Sequence, residues 1–200
     1  VREWLSPAVI AILAISATAV LILTGEDLGT VAALREMHHT TSIGWVLALW
    51  GLGSAVGGIV YGALRRHPPA AVLLVLLAGS TAAVALVDGR PMFTLLLFLS
   101  GLFCAPTITA TLDDLSRAVP ASVRGEAMGW HGSALTLGGA VGAPLVGWGI
   151  DHGGWQGGFE LAGFVGLGMA VTGLAVQSVR RRGVSPEVVA EPRVEPVQSR

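Results

Sequence analysis

Charged residues divide this chain into long stretches without charge. The uncharged runs cover residues 4–25, 37–64, 67–87, 91–112, 127–150 and 161–179. A helix of about 20 apolar residues is long enough to cross the hydrocarbon core of a bilayer. The pattern therefore predicts an all-α membrane protein with six transmembrane helices. We place them at about residues 6–34, 42–64, 69–87, 91–112, 125–149 and 158–179.

The composition supports this prediction. Hydrophobic residues make up 52% of the chain and charged residues only 12%, whereas soluble domains carry roughly 25% charged residues. Six apolar runs joined by short polar segments also disfavour buried helices in a large soluble protein. The bilayer is thus the first expected partner. A net charge of −1 without a basic patch outside the tail excludes a nucleic-acid partner.

The stretch G-L-G-S-A-V-G, residues 51–57, suggests a nucleotide-binding turn at first sight. Such a turn needs an acidic residue roughly 20 positions further on to bind the ribose, but the next acid is Asp88. The chain contains no nucleophile and base pair, metal cluster or phosphate loop, and Cys104 is its single cysteine. We therefore expect neither an enzyme nor a cofactor.

The arginines predict the orientation, because cytoplasmic loops keep an excess of basic residues. One side would carry Arg2, Arg65, Arg66, Arg117, Arg124, Arg180, Arg181 and Arg182, and the other only Arg35 and Arg90. Both termini are therefore predicted to be cytoplasmic. The tail 183–200 contains three prolines and scattered charge, which predicts disorder. The chain begins Val1-Arg2-Glu3 without methionine, which suggests a fragment, and a cleaved signal peptide is the alternative.

Glycines four residues apart predict close helix packing in two of the helices. Small residues at this spacing let two backbones approach each other where lipid supplies no hydrophobic driving force. The pairs are Gly53 and Gly57, Gly58 and Gly62, Gly125 and Gly129, and Gly138 and Gly142.

Two of these motifs resemble the major facilitator superfamily. The second helix ends G-G-I-V-Y-G-A-L-R-R, which resembles the family's loop signature in its second-half form, with Gly62 in place of an aspartate. The fifth helix resembles the antiporter signature, although Ala143 is inserted before the proline. The positions that carry this second resemblance are Gly129, Gly138, Gly142, Pro144 and Gly147.

The resemblance implies a fold of two six-helix halves with the substrate held between them. This chain would supply the second half, residues 1–182, and its partner would be a missing N-terminal half. The implied function is transport of a drug, sugar or metabolite in the inner membrane of a bacterium, coupled to protons. A non-transporting scaffold or accessory subunit, or an inert truncated product, is the alternative.

Glu26 and Asp27 are the main candidates for a substrate or proton pathway. They lie within the first predicted helix, and a charge at the bilayer centre costs about 2.5–3.5 kcal/mol even on lenient scales. Adjacent helical residues point about 100° apart, so only one of the two can face the cavity squarely. The alternative is that the acids cap the outer end of this helix.

Other polar residues have both a functional and a structural interpretation. His131 is a further candidate for the proton pathway, or is hydrogen-bonded to a neighbouring helix. Glu160 opens the last helix, where the helix dipole favours a solvated acid. His38 and His39 form a pair in an outer loop without a third metal ligand nearby, so we expect no metal site.

Charges at the predicted cytoplasmic face form a second candidate site. The resemblance implies that they build a network that holds an inner gate closed, and the alternative is a set of solvated loop charges that contribute little each. These residues are Arg65, Arg66, Asp113, Asp114, Arg117 and Arg124.

Overall fold

A computed structural model describes residues 4–87 and 89–183, with side chains described as far as Ala175. The described residues form helices and turns without a strand, so the predicted all-α fold is confirmed. The helices are α1 (Pro7–Glu36), α2 (Ile43–Ala63), α3 (Ala70–Val84), α4 (Arg90–Ala118) and α5 (Arg124–Gly183). Two short 3₁₀ turns, Thr40–Ser42 and Ala121–Val123, precede α2 and α5.

The helix α5 reverses direction at Gly154. This residue has φ 65° and ψ −168°, a conformation that glycine adopts without the steric cost of a Cβ. Beyond it the chain folds back on itself. A Cβ added at Gly149 would lie only 2.8 Å from the carbonyl oxygen of Gly157, which shows how closely the two sides of the reversal approach. We therefore describe α5 as two antiparallel arms, residues 124–153 and 155–183. The described residues thus form five α-helices, the last of them divided into two arms.

The helix ends differ from the predicted bounds by a few residues, most of all at the end of α4. Four described segments are long and apolar enough to cross a membrane: α1, α2 with its preceding turn, α4, and 121–175. The helix α3 is shorter than predicted, with 15 residues, because Ala85 and Leu86 form a turn. The helix α4 is longer than predicted and continues past residue 112 to Ala118. The predicted tail lies outside the described residues from 184 onward.

The helices pack side by side around α1. Val9 near the start of α1 clusters with Leu115, Val119 and Ala127, so the start of α1, the end of α4 and the start of α5 lie together. We call this the basic end, because Arg65, Arg66, Arg117 and Arg124 lie there. The opposite end holds the end of α1, the start of α2 and the reversal at Gly154.

Large apolar side chains cover much of the outer surface. Trp45, Ile59 and Phe164 are 77%, 74% and 65% exposed, respectively. A soluble monomer rarely exposes apolar patches of this extent, whereas such a surface is favourable against lipid. Backbone groups in lipid must also be satisfied within the segment, which helices achieve. The exposed surface therefore fits a multi-pass membrane protein.

Candidate functional site: a buried carboxyl group

Glu26 lies inside α1 rather than at its end. The helix continues for ten residues past Glu26 to Glu36, and a rise of about 1.5 Å per residue places Glu26 roughly 15 Å from that end. Only 1% of Glu26 is exposed. The interpretation that Glu26 and Asp27 cap the end of the first helix is therefore wrong.

Three side chains from three other helices contact the Glu26 carboxyl group. Trp50 of α2 donates its Nε1–H to Oε2 at 2.8 Å. The Thr81 hydroxyl of α3 lies 2.6 Å from Oε1, and the Ser100 hydroxyl of α4 also bonds to Oε1. We call these four residues the Glu26 cluster. The cluster joins α1, α2, α3 and α4 at one point.

Apolar side chains enclose the Glu26 cluster along the helices. Ile22 and Leu77, one turn before Glu26 and Thr81, belong to a buried apolar cluster on the side of the basic end. Phe93 and Leu97 belong to another, toward the opposite end. A carboxylate loses most of its hydration in such surroundings, which costs free energy unless hydrogen bonds replace the water. The three hydrogen bonds offset part of that cost.

The two neighbouring acids have different surroundings. Asp27 is exposed, whereas Glu26 is buried among the helices. This difference follows from the rotation of about 100° between successive helical residues. The structure therefore brings only Glu26 into the cluster.

Thr30 adds a polar group one turn further along α1. Its side chain is fully buried, and its hydroxyl has no hydrogen-bond partner among the described residues. The spacing of four residues places it on the same face of α1 as Glu26. The polar face of α1 thus extends from Glu26 toward the opposite end.

His131 lies apart from the Glu26 cluster. Its ring is buried, and Nε2 lies 3.0 Å from the Thr111 hydroxyl of α4. The same hydroxyl donates to the Ile108 carbonyl at 2.8 Å, so His131 is the donor to Thr111 when Thr111 uses its only hydrogen in this way. The structure thus places His131 in a hydrogen bond between α4 and the first arm of α5.

The acids at the basic end lie in the last turns of α4, not in a loop. Arg117 lies 3.9 Å from Asp113 and 3.7 Å from Asp114, both on its own helix. The carboxyl group of Asp114 also lies close to the backbone N–H of Ala70, the first residue of α3. The contact of Asp114 with Ala70 therefore joins α4 to α3.

The remaining basic residues of the predicted gate lie on the surface. Arg65, Arg66 and Arg124 are exposed and form no ion pair with another described residue. The predicted charge network across the loops is thus limited to pairs along α4. Its role as an inner gate stays a prediction.

The other polar candidates also lie on the surface. His38 and His39 are exposed in the turn after α1, and His38 has φ 58°. Glu160 is exposed on the second arm of α5. Within the described residues no three groups of the metal-ligating types come together.

The predicted glycine pairs divide into packed and open ones. A Cβ added at Gly53, Gly57 or Gly138 would overlap a backbone carbonyl oxygen of another helix, and one at Gly142 would lie 3.0 Å from Leu21 Cα. A Cβ at Gly58 would make an ordinary contact with Ala105. Added Cβ atoms would have no described neighbour within 4 Å at Gly62, Gly125, Gly129 and Gly147. Pro144 lies inside the first arm of α5 and is exposed.

Trp50, Thr81 and Ser100 were not predicted as site residues from the sequence. Each is one of several uncharged polar groups within a long apolar run, and side chains of these types are common in membrane helices for packing reasons. The available signal was depth, that is, how many residues separate a polar side chain from the end of its helix. Ser100 lies ten residues after the start of α4, as Glu26 lies ten before the end of α1. Equal depth in antiparallel helices is what brings them together.

Comparisons with known proteins agree with the fold. The family model described as Major Facilitator Superfamily matches residues 5–198. A search of curated proteins and a search of solved structures each gave no match. The family match covers nearly the whole chain, and it includes all four residues of the Glu26 cluster.

Proposed function

The chain belongs to the Major Facilitator Superfamily of membrane transporters, and from that premise we propose that it moves a small molecule by secondary transport driven by protons. Glu26 is the proposed proton-binding group. The substrate would be a drug, a sugar or a metabolite. The resemblance of the fifth helix to the antiporter signature favours export in exchange for protons.

The burial of Glu26 is the observation that carries this proposal. Ionisable groups within membrane helices are costly and are therefore functional candidates by default. A purely structural hydrogen bond between helices would need only a neutral group such as glutamine. The choice of an acid, held by Trp50, Thr81 and Ser100, favours a group that changes its protonation state.

We further propose that the chain acts as the C-terminal half of a transporter with two six-helix halves. Six helical segments with the start of α1 and the end of α5 at the same end fit one half of that architecture. The excess of arginines at the basic end favours a cytoplasmic location for that end in the inner membrane.

Neutralising each acid in turn tests the proposal. The protein would be reconstituted together with its N-terminal half in proteoliposomes that contain a pH-sensitive dye. Sugars, organic anions and cationic drugs would then be added under an imposed pH gradient. We expect Glu26→Gln to abolish proton movement that depends on an added compound. Asp27→Asn is the matched control, because Asp27 is exposed, and it should retain most of this movement.

Two results would count against the proposal. If Glu26→Gln transports with the same proton dependence as the natural protein, Glu26 is a structural residue and coupling lies elsewhere. If no compound of any class moves protons in the natural protein, the alternative of a scaffold or accessory subunit gains support.

A further inference from the structure

The Thr81 hydroxyl has more hydrogen-bond neighbours than it has hydrogens. Its oxygen lies 2.6 Å from Glu26 Oε1, 2.8 Å from the Leu77 carbonyl oxygen and 3.3 Å from the Ser100 hydroxyl. A threonine hydroxyl donates one hydrogen bond and accepts up to two. Thr81 can therefore donate to only one of these groups at a time, and rotation of its O–H bond exchanges the two nearest acceptors, Glu26 and Leu77.

Each of these two arrangements suits one protonation state of Glu26. When Glu26 is a carboxylate, Thr81 donates to Oε1. When a proton from the solution has formed an O–H bond at Oε1, that group donates to the Thr81 oxygen, and the Thr81 hydrogen turns to Leu77. Every group keeps a hydrogen-bond partner in both states, which matters because an unpaired buried polar group is costly.

Trp50 determines which carboxyl oxygen receives the proton. An indole N–H is a donor only, and it lies 2.8 Å from Oε2. A proton on Oε2 would find no acceptor among the described residues, because the Trp50 N–H that contacts Oε2 can only donate. Oε1 faces two hydroxyl groups that can turn from donor to acceptor, so the proton belongs on Oε1.

We propose that Thr81 is a positioning residue whose rotating hydroxyl keeps Glu26 hydrogen-bonded in both protonation states, in a site built for a proton rather than a metal cation. The inference rests on the proposed function of Glu26. A hard cation needs several oxygen lone pairs directed at it. The Trp50 N–H directs a hydrogen at Oε2 instead, which repels a cation there.

Few other titratable groups lie near Glu26. Asp27 follows it on α1, and Cys104 is the nearest such residue on α4. The helix α3 contains no titratable residue, and the only one on α2 is Tyr61 near the basic end. From α5, the neighbours of this part of α1 are apolar, namely Val146, Phe159 and Ala162. Among the described residues, Glu26 is therefore the buried carboxyl group whose protonation can change the hydrogen bonds in this part of the bundle.

Infrared difference spectroscopy on the lipid-reconstituted protein tests this proposal without a known substrate. A step in pH should produce a carbonyl band of a protonated carboxyl group, and its absence in Glu26→Gln assigns the band. Thr81→Val keeps the shape but removes the hydroxyl, so the band should move to higher wavenumber. Thr81→Ser should restore its original position. Trp50→Phe should also move the band upward, because the carbonyl oxygen loses its N–H donor.

Thr107→Val is the matched control for the loss of a buried hydroxyl. Thr107 is also buried, and its hydroxyl donates to the Phe103 carbonyl at 2.6 Å without contacting Glu26. This variant should leave the band in place. If Thr81→Val does not fold, Thr81→Ala removes the same hydroxyl without the bulk of valine and carries the same expectation.

The outcomes separate this inference from the proposed function. An assigned Glu26 band that neither hydroxyl-free variant of Thr81 moves would overturn the role of Thr81 and leave Glu26 as the proton site. A band that disappears when sodium replaces choline at constant pH and ionic strength would overturn the preference for a proton. If the natural protein shows no band that depends on Glu26 at any pH, the proposed function of Glu26 itself fails.

Discussion

Glycines spaced four residues apart occur both where α2 contacts α4 and at the basic end of α5. The first set is closely packed against a neighbouring helix, and the second is not. On α2, the space beside Gly53 and Gly57 is filled by backbone carbonyl groups of α4. On α5, a Cβ at Gly125 or Gly129 would meet no described atom within 4 Å. Four-residue spacing thus indicates that a helix surface permits close approach. Whether a neighbour uses that surface depends on the rest of the fold.

The α2–α4 contact also shows why close packing matters for the Glu26 cluster. Pro106 lacks an N–H, so the carbonyl of Leu102 loses its usual helical partner, and this carbonyl lies against Gly57. Gly101 of α4 lies against the carbonyl of Trp50 in turn. Close approach at these glycines places Trp50 and the neighbouring Ser100 within reach of the same carboxyl group.

Substitution of Gly57 by leucine should give the largest difference in stability between the α2–α4 contact and the basic end of α5. Its side chain would have to displace the backbone of Leu102, so we expect a loss of stability at or above the upper end of the about 1–3 kcal/mol typical of overpacking. Gly129→Leu adds the same side chain on an open surface and should change stability little. Cys104, the single cysteine, is buried, so a thiol-reactive dye reports thermal unfolding in detergent.

Equal unfolding temperatures for these two variants would contradict the comparison. Gly51→Leu refines the test, because Gly51 lies on α2 itself and a Cβ there would meet no described atom within 4 Å. A large loss from Gly51→Leu would attribute the effect to the helix rather than to its contact with α4.

A smaller loss is expected at the packed part of the first arm of α5. A Cβ at Gly142 would lie 3.0 Å from Leu21 Cα, whereas Gly168 on the second arm is exposed and open. Gly142→Leu should therefore lower the unfolding temperature less than Gly57→Leu but more than Gly168→Leu. Comparable losses at Gly142 and Gly168 would show that the first arm is not closely packed against α1.

The helices could be predicted from the sequence because their signal is local. An uncharged run of sufficient length identifies an apolar helix without knowledge of its neighbours. The end of α4 was harder to predict, because Asp113 and Asp114 broke the uncharged run although the helix continues to Ala118. Charge ends a membrane-spanning stretch but not necessarily a helix.

The Glu26 cluster could be predicted only in part, because it depends on contacts between helices. Glu26 and Asp27 stood out as acids in an apolar stretch, and the geometry of a helix predicted that only one of them would face the interior, without indicating which one. Trp50, Thr81 and Ser100 come from three separate runs. Their meeting depends on the relative depth and rotation of four helices, which no single run encodes.

The smallest effect is expected at the charged residues of the basic end. Arg117 is 65% exposed in its side chain, and its partners Asp113 and Asp114 are on the same helix. Exposed pairs of this kind contribute about 0.3–0.5 kcal/mol. Arg117→Ala should therefore leave the unfolding temperature almost unchanged, and added salt should remove what difference remains.

Asp114→Ala should cost more than Arg117→Ala, because the Asp114 carboxyl group also lies close to the N–H of Ala70 at the start of α3. Loss of a side chain that caps a helix costs typically about 1 kcal/mol, and that contact is less sensitive to salt than an exposed ion pair. If Arg117→Ala destabilises the protein as much as Asp114→Ala, the charges act as a network, and the predicted inner gate would gain the support that the pairs along α4 do not give it.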